Sequence, residues 1–289
     1  MADTVPDNFL GLAGRDADYR RARYAVLPIP YEATTTYGIG TRDGPRAILT
    51  ASQQVELYDE ALGRSVPRSG VATLEPLEAD ARGPAEMVQR VYRAARRVLR
   101  DGKFLISLGG EHSITAGLVR AVRQQYRDLC VLQIDAHADL RDEYQGSPHS
   151  HACVMRRVHE MGVSVVGVGI RNYSAGEARF IRTAKPALFS ARHCHEQPGW
   201  IDDVVAALGQ HVYLTIDLDG FDPACAPGTG TPEPGGLTWF QVTDLLAAVA
   251  RKRQIVAVDC VEVRPLPGNN VTEFLAARLI HHLLGLLRA

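Results

Sequence analysis

Nowhere in the sequence does an apolar run approach the ~20 residues that a bilayer-crossing helix needs. Nor is there a charge run: formal net charge is -1 and the basic residues are dispersed, which excludes nucleic acid and anionic membrane as partners. The five cysteines, Cys130, Cys153, Cys194, Cys225 and Cys260, are odd in number, far apart and without a Cys-x-x-Cys pair. That pattern speaks against a disulfide framework and fits a reducing cytoplasm. Residues 1 to 22 carry Asp3, Asp7 and Asp16 and no apolar core behind N-terminal positive charge, unlike a signal peptide. Internal repeats and low-complexity tracts are also missing. What remains, at 46% hydrophobic and 22% charged residues, is an ordinary globular composition, expected to form one domain over residues 1–289.

Strand-like and helix-like patterns then alternate. Apolar runs at residues 23–28, 104–108, 129–134, 163–168, 212–216 and 255–261 read as strands. Helical periodicity marks residues 84–100, 175–184, 238–251 and 272–287, and Gly44-Pro45 opens another helix with proline in its first turn. Such alternation predicts an α/β fold, a three-layer α-β-α sandwich around a mainly parallel sheet. The Pro- and Gly-rich segment 223–236 is too long for a turn and directly follows an acid cluster, so it reads as an active-site loop.

Those clusters carry the chemistry. Asp135-Ala136-His137-Ala138-Asp139 and Asp217-Leu218-Asp219 each follow an apolar strand, His112 follows the strand before, and Glu262 follows the last. Ligands in open α/β sheets bind beyond the carboxyl ends of the strands, which is where all of these side chains would gather. Any one acid could be a helix cap or a turn former. Together, four carboxylates at the edge of a core would repel one another and resist burial unless cations neutralise them. Four negative charges match two divalent cations. An oxygen-rich set with two imidazoles and no thiolate suits Mn²⁺ better than structural zinc, and Ni²⁺ or Co²⁺ could use the same donors. Two such ions can lower the pKa of a shared water toward neutrality, so metal-activated hydrolysis is the expected reaction class.

These residues resemble the ureohydrolase family, which includes arginases and agmatinases. Gly109-Gly110-Glu111-His112-Ser113, Asp135 to Asp139, and Asp217-Leu218-Asp219-Gly220-Phe221-Asp222-Pro223 are similar to its three signatures in order. Gly228 to Pro232, Val261-Glu262-Val263 and Gly40 to Arg46 extend the resemblance over roughly residues 23 to 285. It implies an arginase-like fold and two Mn²⁺ per subunit. One ion would be held by His112, Asp135, Asp139 and Asp217, the other by His137, Asp135, Asp217 and Asp219. It also implies a homotrimer or homohexamer. Glu262 would hold the guanidinium, with Asp142 and Thr231 as further substrate-binding candidates, and His151, followed by Ala152, would shuttle the proton to the leaving amine. His149 is the alternative shuttle, and Arg264 is the local salt-bridge candidate for Glu262.

The far end of the substrate rests on Arg141, Asp142 and Glu143. The acid pair favours a second cationic end and hence agmatine, with putrescine as product. Ser174 stands about where arginases place an acid, a further departure from arginase. Aminopropylagmatine would need a longer pocket; Arg141 keeps guanidinobutyrate and formimidoylglutamate in view, and arginine completes the set. Two other classes are a non-catalytic regulatory relative, which would be expected to lack a ligand, and a two-metal phosphoesterase, which would want basic residues around the acids.

Overall fold

The computed structural model describes residues 7–67 and 69–287; Asp3, among the acids noted at the N-terminus, lies outside them. Eight strands form one sheet in which every neighbouring pair is parallel, in the order β4-β1-β5-β10-β9-β6-β7-β8. They are β1 (Tyr24–Ile29), β4 (Val71–Thr73), β5 (Phe104–Gly109), β6 (Leu129–Ile134), β7 (Ser164–Ile170), β8 (Ala187–Ser190), β9 (His211–Asp217) and β10 (Gln254–Val261). A small antiparallel pair, β2 (Tyr58–Asp59) and β3 (Arg64–Ser65), stands apart. The inner strands are buried along their length, and their continuous rather than alternating apolar runs are what a sheet covered on both faces requires.

Helices supply the cover. On one face α1 (Gly44–Ser52), α6 (Ala191–Glu196), α7 (Trp200–Ala207), α8 (Trp239–Lys252) and α9 (Val271–Leu286) share a core with the sheet. On the other lie α2 (Pro84–Arg100), α3 (Thr115–Val122), α4 (Val154–Glu160) and α5 (Ala175–Ala184). Along α2, Met87, Val88, Val91, Ala95, Val98 and Leu99 recur at helical spacing and are all buried. Each large aliphatic side chain so placed stabilises by about 1.5–3 kcal/mol, which outweighs the helix's strongly charged outer face. Among the described residues no helix is long and apolar enough to cross a membrane.

Sequence order and spatial order differ in the way that matters. The strands β5, β10, β9 and β6 are scattered along the chain yet are the four central neighbours of the sheet. His112, Glu262, Asp217 with Asp219, and Asp135 to Asp139 stand at or just past the carboxyl ends of those strands in that spatial order. Their parallel register brings the carboxyl ends level, with Cys260 beside Leu108, Val261 beside Asp217 and Ile134 beside Ile216.

Candidate metal centre

Two triplets of side chains converge at those strand ends, His112 with Asp135 and Asp139, and Asp135 with His137 and Asp219. Asp135 belongs to both. His112 Nδ1 stands 3.2 Å from Asp135 Oδ2, 3.1 Å from Asp139 Oδ2 and 3.3 Å from Asp217 Oδ2. His137 Nδ1 stands 3.0 Å from Asp219 Oδ2 and 3.7 Å from Asp135 Oδ1. All six residues predicted as ligands are therefore brought together.

Local structure explains how. Asp139 takes a left-handed backbone with φ 51°, strained for a residue with a side chain, which turns its carboxylate back toward His112. Asp135 is anchored at both oxygens: Oδ1 accepts the His137 N–H at 2.6 Å, and Oδ2 accepts the Gln133 side-chain amide at 2.8 Å. Asp217 Oδ1 accepts the Asp219 N–H at 3.0 Å, and Asp219 Oδ1 accepts the Ala136 N–H at 3.0 Å, tying the two acid loops together. That contact needs Gly220, since a Cβ there would stand 2.7 Å from the Asp135 nitrogen.

The donors fit divalent cations. His112 Nδ1 is buried without a hydrogen-bond partner although three carboxylate oxygens surround it, and no thiolate joins the group. A hard, oxygen-rich set of this kind matches Mn²⁺ and its neighbours in the transition series. Charge points the same way. Burial together with the charges of Asp139 and Asp219 pushes the Asp135 carboxyl up to about 7, and burial with Asp219 and Asp135 holds Asp217 well above its ordinary value. Burial lowers the affinity of the His137 ring for a proton, but Asp219 and the other acids overcome it and raise the ring to about 11. Without cations the cluster keeps protons that cations must displace, so metal binding releases protons and strengthens as pH rises. Calorimetric titration of the metal-free protein with Mn²⁺ should show proton uptake by the buffer and an affinity that falls from pH 8 to pH 6. An affinity independent of pH over that range would contradict the charge argument.

Glu262 borders the cluster. It too has a left-handed backbone, φ 62°, and its Oε1 accepts the His112 N–H at 2.7 Å and lies 3.5 Å from His151 Nδ1. Its Oε2 has no hydrogen bond among the described residues and faces Gly230, whose Cβ, if present, would be 3.9 Å away. His151, not His149, is the histidine that meets Glu262; its Nε2 is buried and unpartnered. Burial works against protonation of His151, yet the Glu262 carboxylate raises the ring to about 9. The His151 N–H donates to Thr34 Oγ1 at 2.9 Å, and Thr34 donates to Glu111 Oε1 at 2.8 Å. Glu111 also accepts the N–H groups of Ala33 and Thr34, both at 2.6 Å, so it braces the loop beneath His151. No role for Glu111, Thr34 or Gln133 follows from sequence reasoning alone.

Several other candidate residues already have partners. The Asp142 side chain is 73% exposed and paired with Arg157 at 2.8 Å and Arg156 at 3.6 Å, so it faces α4 and its charge is already matched there. Thr231 donates to Asp219 Oδ2 at 3.2 Å, which makes it a support of that carboxylate rather than a free contact. Arg264 does not pair with Glu262; its Nε donates to the Ile39 carbonyl at 2.9 Å. Arg141 lies over the Tyr144 ring at 4.4 Å, with Nε 3.7 Å from Glu177. Ser174 caps α5 in a reciprocal box with Glu177, a local reason for serine at that position. The loop 223–236 does reach the site. Arg171 holds it there, donating to the carbonyls of Asp219 at 2.7 Å, Glu233 at 2.6 Å and Pro234 at 3.1 Å.

The chain is also similar to known proteins. Residues 22–285 match the arginase family. The chain is 43% identical to an N(1)-aminopropylagmatine ureohydrolase of Synechocystis sp., over 92% of this chain and 90% of the relative. It is 34% identical to an agmatinase of Pyrococcus horikoshii, over 93% of each. Among solved structures, the agmatine ureohydrolase of Thermoplasma volcanium superposes with a TM-score of 0.85 at 34% identity, covering 95% of this chain and 94% of that one.

Proposed function

The chain belongs to the arginase family, and on that premise we propose that it hydrolyses N(1)-aminopropylagmatine, with agmatine as the alternative, to urea and an amine. It is a ureohydrolase, so the bond cut is a carbon–nitrogen bond of a guanidino group. The choice of substrate is carried by the 43% identity to the Synechocystis aminopropylagmatine ureohydrolase, against 34% to the agmatinase of Pyrococcus horikoshii.

Side chains at the rim support a substrate whose far end is cationic. Arg141, the residue that would hold a distal carboxylate, is already engaged by Glu177 and Tyr144. Glu233 offers a carboxylate instead. It lies two residues beyond Thr231 and accepts a hydrogen bond from the Asn172 side chain, and Asn172 pairs through its backbone with His137. Two residues of chain span at most roughly 7 Å, within reach of a four-carbon amine chain that starts at the acid cluster. An ammonium there would form a charge-assisted hydrogen bond.

In this proposal one cation is held by His112, Asp135, Asp139 and Asp217 and the other by His137, Asp135, Asp217 and Asp219, with Mn²⁺ as the ion. A pair of divalent cations supplies Lewis acidity and a water that ionises near neutral pH. Glu262 Oε2 accepts hydrogen bonds from the guanidinium and fixes its plane over the cluster. His151, protonated beside Glu262, gives its proton to the departing amine nitrogen. Glu111, through Thr34, holds the His151 backbone N–H and so the segment that carries the ring.

The test is urea release in the presence of Mn²⁺ from N(1)-aminopropylagmatine, agmatine, 4-guanidinobutyrate and arginine. The aminopropyl compound should give the highest kcat/KM, ahead of agmatine by about 10-fold, the value of one added charged hydrogen bond. Guanidinobutyrate or arginine in first place would overturn the cationic-end assignment.

A further inference from the structure

A buried chain of polar groups leads from the metal centre into the sheet. His112 Nε2 lies 2.8 Å from Thr215 Oγ1, Thr215 Oγ1 lies 2.6 Å from Asp259 Oδ1, and Asp259 Oδ2 accepts hydrogen bonds from Thr115 at 2.8 Å and from the Tyr213 hydroxyl. All five side chains are buried, Asp259, Thr215 and Thr115 completely. Among the described residues Asp259 has no ion-pair partner, and three hydroxyls are its hydrogen-bond donors. A carboxylate buried in a parallel sheet on hydroxyl donors alone is costly to desolvate. It needs a reason.

We propose that Asp259 is a positioning residue that, through Thr215, fixes the tautomer and orientation of His112 for metal binding. The inference rests on the two-cation function above and extends it to residues outside the ligand set. A carboxylate can only accept, and a hydroxyl has one proton to give. With the Thr215 proton directed to Asp259 Oδ1, Oγ1 can only accept from the ring, so the proton of neutral His112 sits on Nε2. The Nδ1 lone pair then points into the space ringed by Asp135, Asp139 and Asp217. Were Asp259 absent, Thr215 could donate to Nε2 instead, and the ring proton would move to Nδ1, where the cation belongs. The Asp259 charge thus sets the direction of the whole chain, and Thr115 and Tyr213 hold the carboxylate in line.

The discriminating measurement is the number and affinity of bound ions, followed by calorimetry, metal analysis and electron paramagnetic resonance of the Mn²⁺-loaded protein. The wild-type chain should bind two Mn²⁺ as a coupled pair. In Thr215→Val, which keeps the shape and removes the relay oxygen, one ion should bind about 10- to 100-fold more weakly and the other within about two-fold. The spectrum should change from a coupled pair to an isolated ion. Thr215→Ser should restore both sites, and Asp259→Asn should weaken the same ion as Thr215→Val. Melting curves of the metal-free variants establish that they fold, and if Asp259→Asn does not, the valine and serine pair decides. Two ions bound to Thr215→Val with wild-type affinity would overturn the relay while leaving the two-cation function intact. A wild-type chain that binds no Mn²⁺, Ni²⁺ or Co²⁺ would instead remove that function and the relay with it.

Discussion

Asp217→Ala loses bound metal and urea release together, with kcat/KM falling more than about 10³-fold, a barrier increase of roughly 4 kcal/mol. Asp217 Oδ2 lies 3.3 Å from His112 Nδ1 while Oδ1 accepts the Asp219 N–H, so one carboxylate serves both halves of the cluster. Removing it leaves three carboxylates for two cations, and the electrostatic match disappears. The fold should survive. Burial and the neighbouring charges of Asp219 and Asp135 already hold the Asp217 carboxyl far above its ordinary value, so the metal-free protein gains little from its charge. The metal-free variant should therefore melt no lower than the metal-free wild type. Metal analysis beside a urea assay checks the first expectation and calorimetry the second; urea release that persists after metal is lost would end the two-cation assignment.

The second large effect is at His151. Alanine there should lower kcat by about 10²- to 10⁴-fold, the usual worth of a positioned general acid, with both cations still bound. The His151 ring lies 3.5 Å from Glu262 rather than inside either ligand triplet. Its pKa fixes the pH dependence. Burial favours the neutral ring, but Glu262 raises it to about 9, so the acid form is held below that pH and lost above it. Glu262→Gln removes the stabilising charge, and the alkaline limb of the rate profile should move to lower pH along with a rise in KM. Profiles of kcat against pH for the two variants test this. If His151→Ala kept full turnover while His149→Ala lost it, the shuttle would have to be reassigned.

Much of the frame was legible from sequence because its signals are local. The run 129–134 is β6 residue for residue, and residues 84–100 and 175–184 are α2 and α5. β4 and β8 escaped because three or four residues at a sheet edge carry no measurable period. The clustered acids and imidazoles were legible because Asp-x-His-x-Asp and Asp-x-Asp place them within a few residues of a strand end. Thr215 and Asp259 were not, since each lies inside an apolar strand and depends on the pairing of β9 with β10. A signal existed: an aspartate near the middle of a buried parallel strand is out of character and invites a search for donors. Asp142 is the opposite case. Its position in the chain is right, but Arg156 and Arg157, a helix away, capture it.

The adjacency of β5, β10, β9 and β6 at the middle of the sheet bears on how such a protein can change over time. The clustered acids and imidazoles hang from the part of the molecule least able to open without global unfolding. Glu233 hangs from a loop outside the sheet, clamped by Arg171 through carbonyl contacts that many side chains on that loop would leave undisturbed. The loop can thus be exchanged one residue at a time while the acid cluster at the strand ends is left undisturbed.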